Sequence, residues 1–210
     1  MNMLPIHTQE HLPTPSLDRT DAVLAKQVLG GDQEAFELLV RRYNTPLFNF
    51  IYRFLGDHDL ACDVSQQVFL RFYTSLPKLG TKHPFKLWLF HVAHNCCVDE
   101  LRRQHRYALH FSQLEKSEDE LADLYDIPDP GPLLEDVAER RDLQVLLQEA
   151  ILALPPKFRS VVILRYSSQM SFVEIGQVLS MPEAKALTYF YRAKVLLRKT
   201  LLARLQMTLA

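Results

Sequence analysis

Glycine is scarce in this chain, with six in 210 residues. No glycine-rich phosphate-cradling loop, HExxH helix or nucleophile elbow can be assembled from it. Architectures that turn on glycine are therefore excluded first, and the chain is expected to be no enzyme and to hold no cofactor. Cysteine is sparse too. Cys62, Cys96 and Cys97 include an adjacent pair, a poor disulfide framework that suits a reducing compartment. His91, His94, Cys96 and Cys97 lie close in sequence, but such spacing on one helix cannot aim all four at a single tetrahedral centre, so no metal site is expected. No apolar run approaches the roughly 18 to 20 residues of a membrane helix, and MNMLPIHTQEHLPTPSLDRT has no apolar stretch of the secretion-signal kind. A cytoplasmic location without membrane insertion is expected.

Net charge is nearly absent as well, at −1, but its distribution is uneven. Residues 1–104 carry 11 acidic and 11 basic side chains, residues 105–139 carry 10 and 2, and residues 140–210 carry 4 and 11. The C-terminal third is thus attracted to polyanions, nucleic acid foremost, because each phosphate contact releases counterions. A solvated helix face rich in Lys and Arg is the plainer alternative.

What is present is helical periodicity. Hydrophobic residues make up 48% and charged residues 23%, ordinary values for a chain that folds. Residues 1–20, with three prolines, read as a flexible tail. Phe36, Leu39, Val40 and Tyr43 fall at helical spacing, and Thr45–Pro46 is expected to cap a separate helix with Phe48, Ile51, Tyr52 and Leu55 inward. Asp57 or His58 opens a third helix bearing Ala61, Val64, Val68, Phe72 and Leu76, which Pro77 is expected to stop. After the loop PKLGTKHP, a fourth stripe runs through Phe85, Trp88, Leu89, Val92, Ala93, Cys96 and Leu101 and turns basic at Arg102, Arg103 and Arg106. Trp88 sits in that stripe and reads as core. Residues 109–136 are acidic and contain PDPGP, a flexible linker by composition. Periodicity returns with Val137, Leu143, Leu146, Leu147, Ile151 and Leu154. Two short helices follow, roughly Lys157–Tyr166 and Ser171–Leu179, and a longer one opens near Pro182. Nothing alternates at period two, so the fold class is all-α. Two small helical domains are expected, over 21–108 and 137–208, the first closing a four-helix core.

The segment SFVEIGQVLSMPEAKALTYFYRAK has the build of a helix-turn-helix, whose second helix lies in the major groove with its first turns at the base edges. Glu183, Lys185, Ala186, Thr188 and Tyr189 are expected to be exposed there, with Arg192 and Lys194 placed for phosphates. A plain packing hairpin is the competing explanation.

Six motifs in order carry a resemblance. DQEAFELLVRRY, DVSQQVFLRFY and FKLWLFHVAHNCCVDELRR, then LPPKFRSVVILRY, SFVEIGQVL and YRAKVLLRK, together resemble the second and fourth regions of the extracytoplasmic-function (ECF) group of bacterial sigma factors. The resemblance spans about residues 22–107 and 140–205. It implies a promoter-specificity subunit that binds core RNA polymerase, contacts the minus-ten and minus-thirty-five elements of promoter DNA and helps melt the duplex, with an anti-sigma factor as a further possible partner. It also implies roles. Asp63, Gln66, Gln67 and Phe69 would meet the polymerase. Lys78, Thr81, Lys82 and His83 would hold an unstacked minus-ten base and its backbone. Asn95, Asp99, Arg102 and Arg103 match the family's asparagine, aspartate and paired arginines, the arginines for phosphates and Asp99 to orient them. Lys185, Ala186, Thr188, Tyr189, Arg192 and Lys194 would serve minus-thirty-five recognition.

The chain departs from the family pattern in two places. Cys62 stands where an acid is usual, and the recognition helix reads Ala184, Lys185, Ala186, Leu187, Thr188, Tyr189, with Leu187 and Tyr189 at positions usually polar or basic. Two rivals stay open on the residues alone: a helix-turn-helix regulator acting without polymerase, and a degenerate sigma-like protein that keeps partner binding but has lost promoter reading.

Overall fold

The computed structural model describes residues 19–81, 84–114 and 135–208, and among them every regular element is a helix. In chain order these are α1 (Asp21–Leu29), α2 (Gln33–Leu55), α3 (His58–Leu79), α4 (Phe85–Leu114), α5 (Glu135–Leu152), α6 (Pro156–Tyr166), α7 (Phe172–Val178) and α8 (Glu183–Thr208). Residues 1–18, most of the expected tail, and 115–134, most of the expected linker, lie outside the described residues. Arg19 and Thr20 do not: Thr20 is the N-cap of α1, and the Arg19 carbonyl accepts from Arg42.

The N-terminal helices start on aspartates. The Asp32 and Asp57 carboxylates accept from the third backbone N–H of α2 and α3, at 3.1 and 2.8 Å, satisfying donors that a helix start otherwise leaves bare. Gly56 ends α2 at φ 82°, a left-handed position that favours glycine. Between these signals the chain does not break where its prolines predict. α2 runs unbroken through Thr45–Pro46, so the separate helix expected after Thr45 does not exist. Proline inside a helix costs about 3 kcal/mol. Tyr43, Leu47, Phe50, Ile51 and Phe54 offset that by continuing one buried face across it. Pro77 likewise sits inside α3, one turn before Gly80, and exposes its ring to solvent.

Five phenylalanines, Phe50, Phe54, Phe72, Phe85 and Phe90, are fully buried among α2, α3 and α4. Their rings meet edge-on, Phe50 with Phe90 at 5.5 Å and Phe72 with Phe85 at 5.3 Å. Trp88 is half-buried against Phe72, as its stripe predicts.

The C-terminal helices are not separate from this core. α6 is buried at seven consecutive positions, Phe158 to Leu164, which one packing face cannot achieve. On one side Phe158 and Val162 join Leu154 and Ala193 in a small cluster. On the other, Val161, Ile163 and Leu164 continue the apolar cluster that begins in α1–α4, with Ile175 and Val178 of α7. Polar contacts cross the same seam. Buried Arg159 lays its guanidinium 5.4 Å over the Phe54 ring and donates to the carbonyls of Phe54 (2.6 Å), Leu154 (3.1 Å) and Leu152. His91 Nδ1 donates to the Val178 carbonyl at 2.7 Å, and Lys86 Nζ to that of Ser168 at 3.4 Å.

Candidate functional site

The residues singled out in the sequence fall on three surfaces. On α3, Asp63, Gln66 and Gln67 are exposed and Phe69 is half-buried. Helical geometry divides them, since residues three or four apart share a face. Gln66 and Phe69 line an apolar groove of about 840 Å³ between α2 and α3, with Phe36, Leu70 and Tyr73. Asp63 and Gln67 line a second, polar groove of about 480 Å³ between α3 and α4, with Arg71, Asp99 and Arg103. The first groove has the chemistry of a docking site: Leu70 is 65% and Tyr73 54% exposed, and Phe36 presents its ring to Tyr73 edge-on at 5.0 Å. The sequence reading missed both exposed residues, although each lies in DVSQQVFLRFY at a position off the buried stripe. Cys62 lines this groove too, with its Sγ 3.8 Å from His58 Nδ1.

The second surface is the exposed edge of α4. Asn95, Asp99, Arg102 and Arg103 are all exposed. Asp99 pairs with Arg102 at 3.4 Å, but Arg103 is held in two-pronged fashion by Glu100, at 2.8 and 2.9 Å. Glu100 thus takes the orienting role for Arg103 that Asp99 was expected to play. Asn95 Nδ2 donates to His91 Nε2 at 3.1 Å, because the Nδ1 proton of His91 is committed to Val178. Next to it His94 is half-buried against Phe54, and loss of solvation pushes its pKa below the ordinary 6.5. Burial likewise pushes the Cys96 and Cys97 thiols above their ordinary range. Lys78 is exposed in the last turn of α3 and Thr81 half-buried in the turn after it. Lys82 and His83 lie outside the described residues.

The third surface is the start of α8. Ser171 and Glu174 cap α7 reciprocally, the Glu174 carboxylate accepting from the Ser171 N–H at 2.7 Å and its hydroxyl at 2.9 Å. That backbone bond, then the hydroxyl bond, holds the Glu174 carboxyl below the usual range. The turn into α8 is close: a Cβ on Gly176 would stand 2.7 Å from the Met181 carbonyl oxygen. Of the expected recognition residues, Lys185, Thr188, Arg192 and Lys194 are exposed. Ala186 is not. It is fully buried, because position 186 faces α6 and α7 in the helix-turn-helix, and it cannot reach a base edge. Tyr189 is half-buried, its ring edge-on to Phe158 at 5.2 Å. It serves as a platform instead, with Lys185 Nζ at 5.6 Å and Lys157 Nζ at 5.8 Å from the ring centre. Lys157, at the start of α6, was not singled out in the sequence, where its two preceding prolines mark only a helix start.

Among the described residues, no helix is long and apolar enough to cross a membrane.

Comparison with known proteins adds to this geometry. Residues 39–107 match the family model of sigma-70 region 2, and residues 144–197 match that of sigma-70 region 4. The chain is 33% identical over 177 residues to the ECF RNA polymerase sigma factor SigW of Bacillus subtilis, covering 84% of this chain and 94% of that one. It is 29% identical over 185 residues to the RNA polymerase sigma-H factor of Pseudomonas aeruginosa, covering 86% and 93%. Among solved structures it is similar to CnrH in complex with the cytosolic domain of CnrY, with a TM-score of 0.64 at 23% identity over 87% of this chain and 97% of that one. The sigma factor RpoE of Bartonella quintana, solved with the anti-sigma factor NepR, gives a TM-score of 0.60 at 20% identity over 79% and 96%.

Proposed function

The chain belongs to the extracytoplasmic-function group of the sigma-70 family, and from that premise we propose how its three surfaces share the work of promoter-directed initiation. As a sigma factor it binds core RNA polymerase and directs it to promoter DNA. Polymerase performs the catalysis, and this chain, acting in the cytoplasm, is itself no enzyme. The apolar groove between α2 and α3 seats a polymerase element, with Gln66 and Phe69 at its wall and Leu70 and Tyr73 as exposed anchors. Asp63 and Gln67 extend that contact around α3. The exposed edge of α4 addresses the minus-ten element, Asn95 by hydrogen bonding and Arg102 and Arg103 by charge, with Lys78 and Thr81 close by. Lys185 and Thr188 face bases of the minus-thirty-five element, while Arg192 and Lys194 lie further along α8 toward phosphates. RpoE of Bartonella quintana was solved with the anti-sigma factor NepR, and CnrH with the cytosolic domain of CnrY, which supports a protein partner of the anti-sigma kind for this chain.

The observation that carries this reading is the groove itself, a cluster of exposed apolar side chains rimmed by glutamine on a helix that solvent alone would have made charged. The test is a titration of core polymerase with Gln66→Ala and Tyr73→Ala. Each is expected to weaken binding by about 1 to 2 kcal/mol with helicity unchanged. Wild-type affinity in both variants would remove the groove from the interface.

A further inference from the structure

The outward face of α8 is apolar where a helix that reads bases by hydrogen bonding would be polar. Ala184, Thr188, Tyr191 and Val195 follow one another at spacings of four, three and four residues, which keeps them on one line, and all four are exposed. Ala186, Phe190 and Ala193, on the opposite side, are buried. Leu187 stands beside Thr188 on the outward side and is 37% exposed, while Tyr191 is 59% exposed with its ring edge-on to Phe190 at 5.9 Å. A helical step of about 100° per residue sets Glu183 and Lys185 off that line, on either side of it.

The hydroxyl that this line carries in its first two turns is already engaged. Thr188 Oγ1 donates to the Ala184 carbonyl, one turn back, at 2.8 Å, so its proton is committed within the helix and its γ-methyl is the part left for a neighbour. Of the two positions that are usually polar or basic in the family pattern, 189 holds a tyrosine turned inward, its ring edge-on to Phe158, and 187 holds a leucine, which cannot hydrogen-bond. In the major groove such side chains have one feature to recognise. Thymine alone among the four bases presents a 5-methyl group there, whereas the cytosine amino group and guanine O6 and N7 need partners that an apolar side chain denies them. Contact with leucine and a threonine methyl therefore stabilises thymine by burial and penalises G·C pairs by dehydration without compensation.

We propose that this recognition helix selects thymine by its 5-methyl group: Leu187 and the Thr188 methyl read A·T pairs of the minus-thirty-five element in the major groove, and Tyr191 extends the apolar strip by one turn. Lys185, off the strip, fixes a flanking pair by hydrogen bonding, and Arg192 and Lys194 hold phosphates. The proposal rests on the initiation-factor reading above and deepens it by naming the chemical group that the upstream contact recognises. The departures at positions 187 and 189 then change what is read rather than abolish reading.

The test binds core polymerase carrying the full chain to duplexes that hold the upstream element selected by the wild type from a promoter library, with each thymine in turn replaced by deoxyuridine. That replacement deletes the methyl and leaves base pairing and every hydrogen-bonding group in place. At least one thymine is expected to lose about four-fold in affinity, the contribution of one buried methyl-sized group. Thr188→Ser keeps the hydroxyl and drops the methyl, and Leu187→Ala shortens the apolar contact. Whichever side chain meets that methyl, its variant is expected to abolish the penalty with helicity unchanged. Thr188→Val keeps a methyl and drops the hydroxyl, and is expected to retain the penalty wherever Thr188→Ser abolishes it. Equal binding of thymine and uracil duplexes by the wild type would overturn the proposal, as would selection of an upstream element without thymine. So would loss of the penalty in Thr188→Val, which would assign the contact to the hydroxyl. A penalty that persists in both Thr188→Ser and Leu187→Ala would belong to the shape of the duplex and overturn it too. Promoter-dependent transcription would survive each of these outcomes, so the initiation-factor reading would stand. Absence of such transcription would bring down that reading and this proposal together.

Discussion

The two halves of the molecule hold themselves together by different means. α1–α4 close their own core on five buried phenylalanines and begin α2 and α3 with aspartate caps, so their stability is local. α5–α8 bury mostly small aliphatic side chains, among them Val161, Ile163, Leu164, Ile175 and Val178, and part of that surface is covered only by the N-terminal helices. A unit that borrows part of its core depends on its neighbour for stability, whereas one with its own aromatic core does not.

The sharpest way to break the comparison is to remove an aromatic from the platform. Phe72→Ala, which deletes a fully buried ring touching Phe85 and Trp88, is expected to cost about 3 to 5 kcal/mol in chemical denaturation. Val162→Ala, in the small cluster on the far side of α6, should cost only about 2 kcal/mol. If the halves are unequal as described, Val162→Ala also splits the unfolding curve, the C-terminal helices melting first. A single coincident transition for both variants would mean that the halves share one cooperative core.

Within the C-terminal half, Gly176→Ala probes the turn of the helix-turn-helix. Its Cβ would meet backbone at 2.7 Å, so the turn must open, at a cost of about 1 to 3 kcal/mol. Loss of upstream promoter selectivity with retained core binding is the expected readout. Lys185→Ala should cost about 1 to 3 kcal/mol on the preferred upstream sequence and relax one base pair, while Lys194→Ala weakens all sequences alike. Selection from a promoter library compares them directly, and an unchanged consensus from Lys185→Ala would take base reading away from that residue.

Much of this was legible in the sequence, and the failures share a cause. The all-α class, the stripe of α4 and the helix-turn-helix follow from periodicity, and the charged or amide residues proposed for DNA and polymerase lie, where the structure describes them, on exposed helix faces. The breaks expected at Pro46 and Pro77 did not occur, because local proline chemistry is outweighed when the buried face continues past it. Ala186 was misplaced because alanine is too small to declare a side in a periodicity count. Arg159 was unreadable as a clamp: its sequence context, LPPKFRSVVILRY, shows a charge in an apolar run but not which carbonyls it serves. α6 did leave one signal, since four consecutive aliphatic residues without amphipathic spacing imply burial on both sides.

The smallest expected effect sharpens the comparison at the seam. His94 is half-buried against Phe54, the ring that Arg159 covers, and desolvation, the largest cause, depresses its pKa; the bond to Asn95 acts the other way, and nearby His91 adds a smaller depression. The folded chain therefore holds His94 neutral where the unfolded chain takes up a proton near the ordinary value of 6.5. Between those two pKa values unfolding binds a proton, so stability falls as the pH drops through about 6.5 and stops falling once the folded pKa is passed. Replacing the imidazole by a neutral side chain of similar size removes the linkage. His94→Gln is expected to flatten the stability profile between pH 7.5 and 5.5 while leaving the profile above pH 7.5 parallel to wild type. If the wild-type profile is already flat across that window, or if His94→Gln reproduces the wild-type slope, another group carries the pH dependence and His94 is only a space-filling ring.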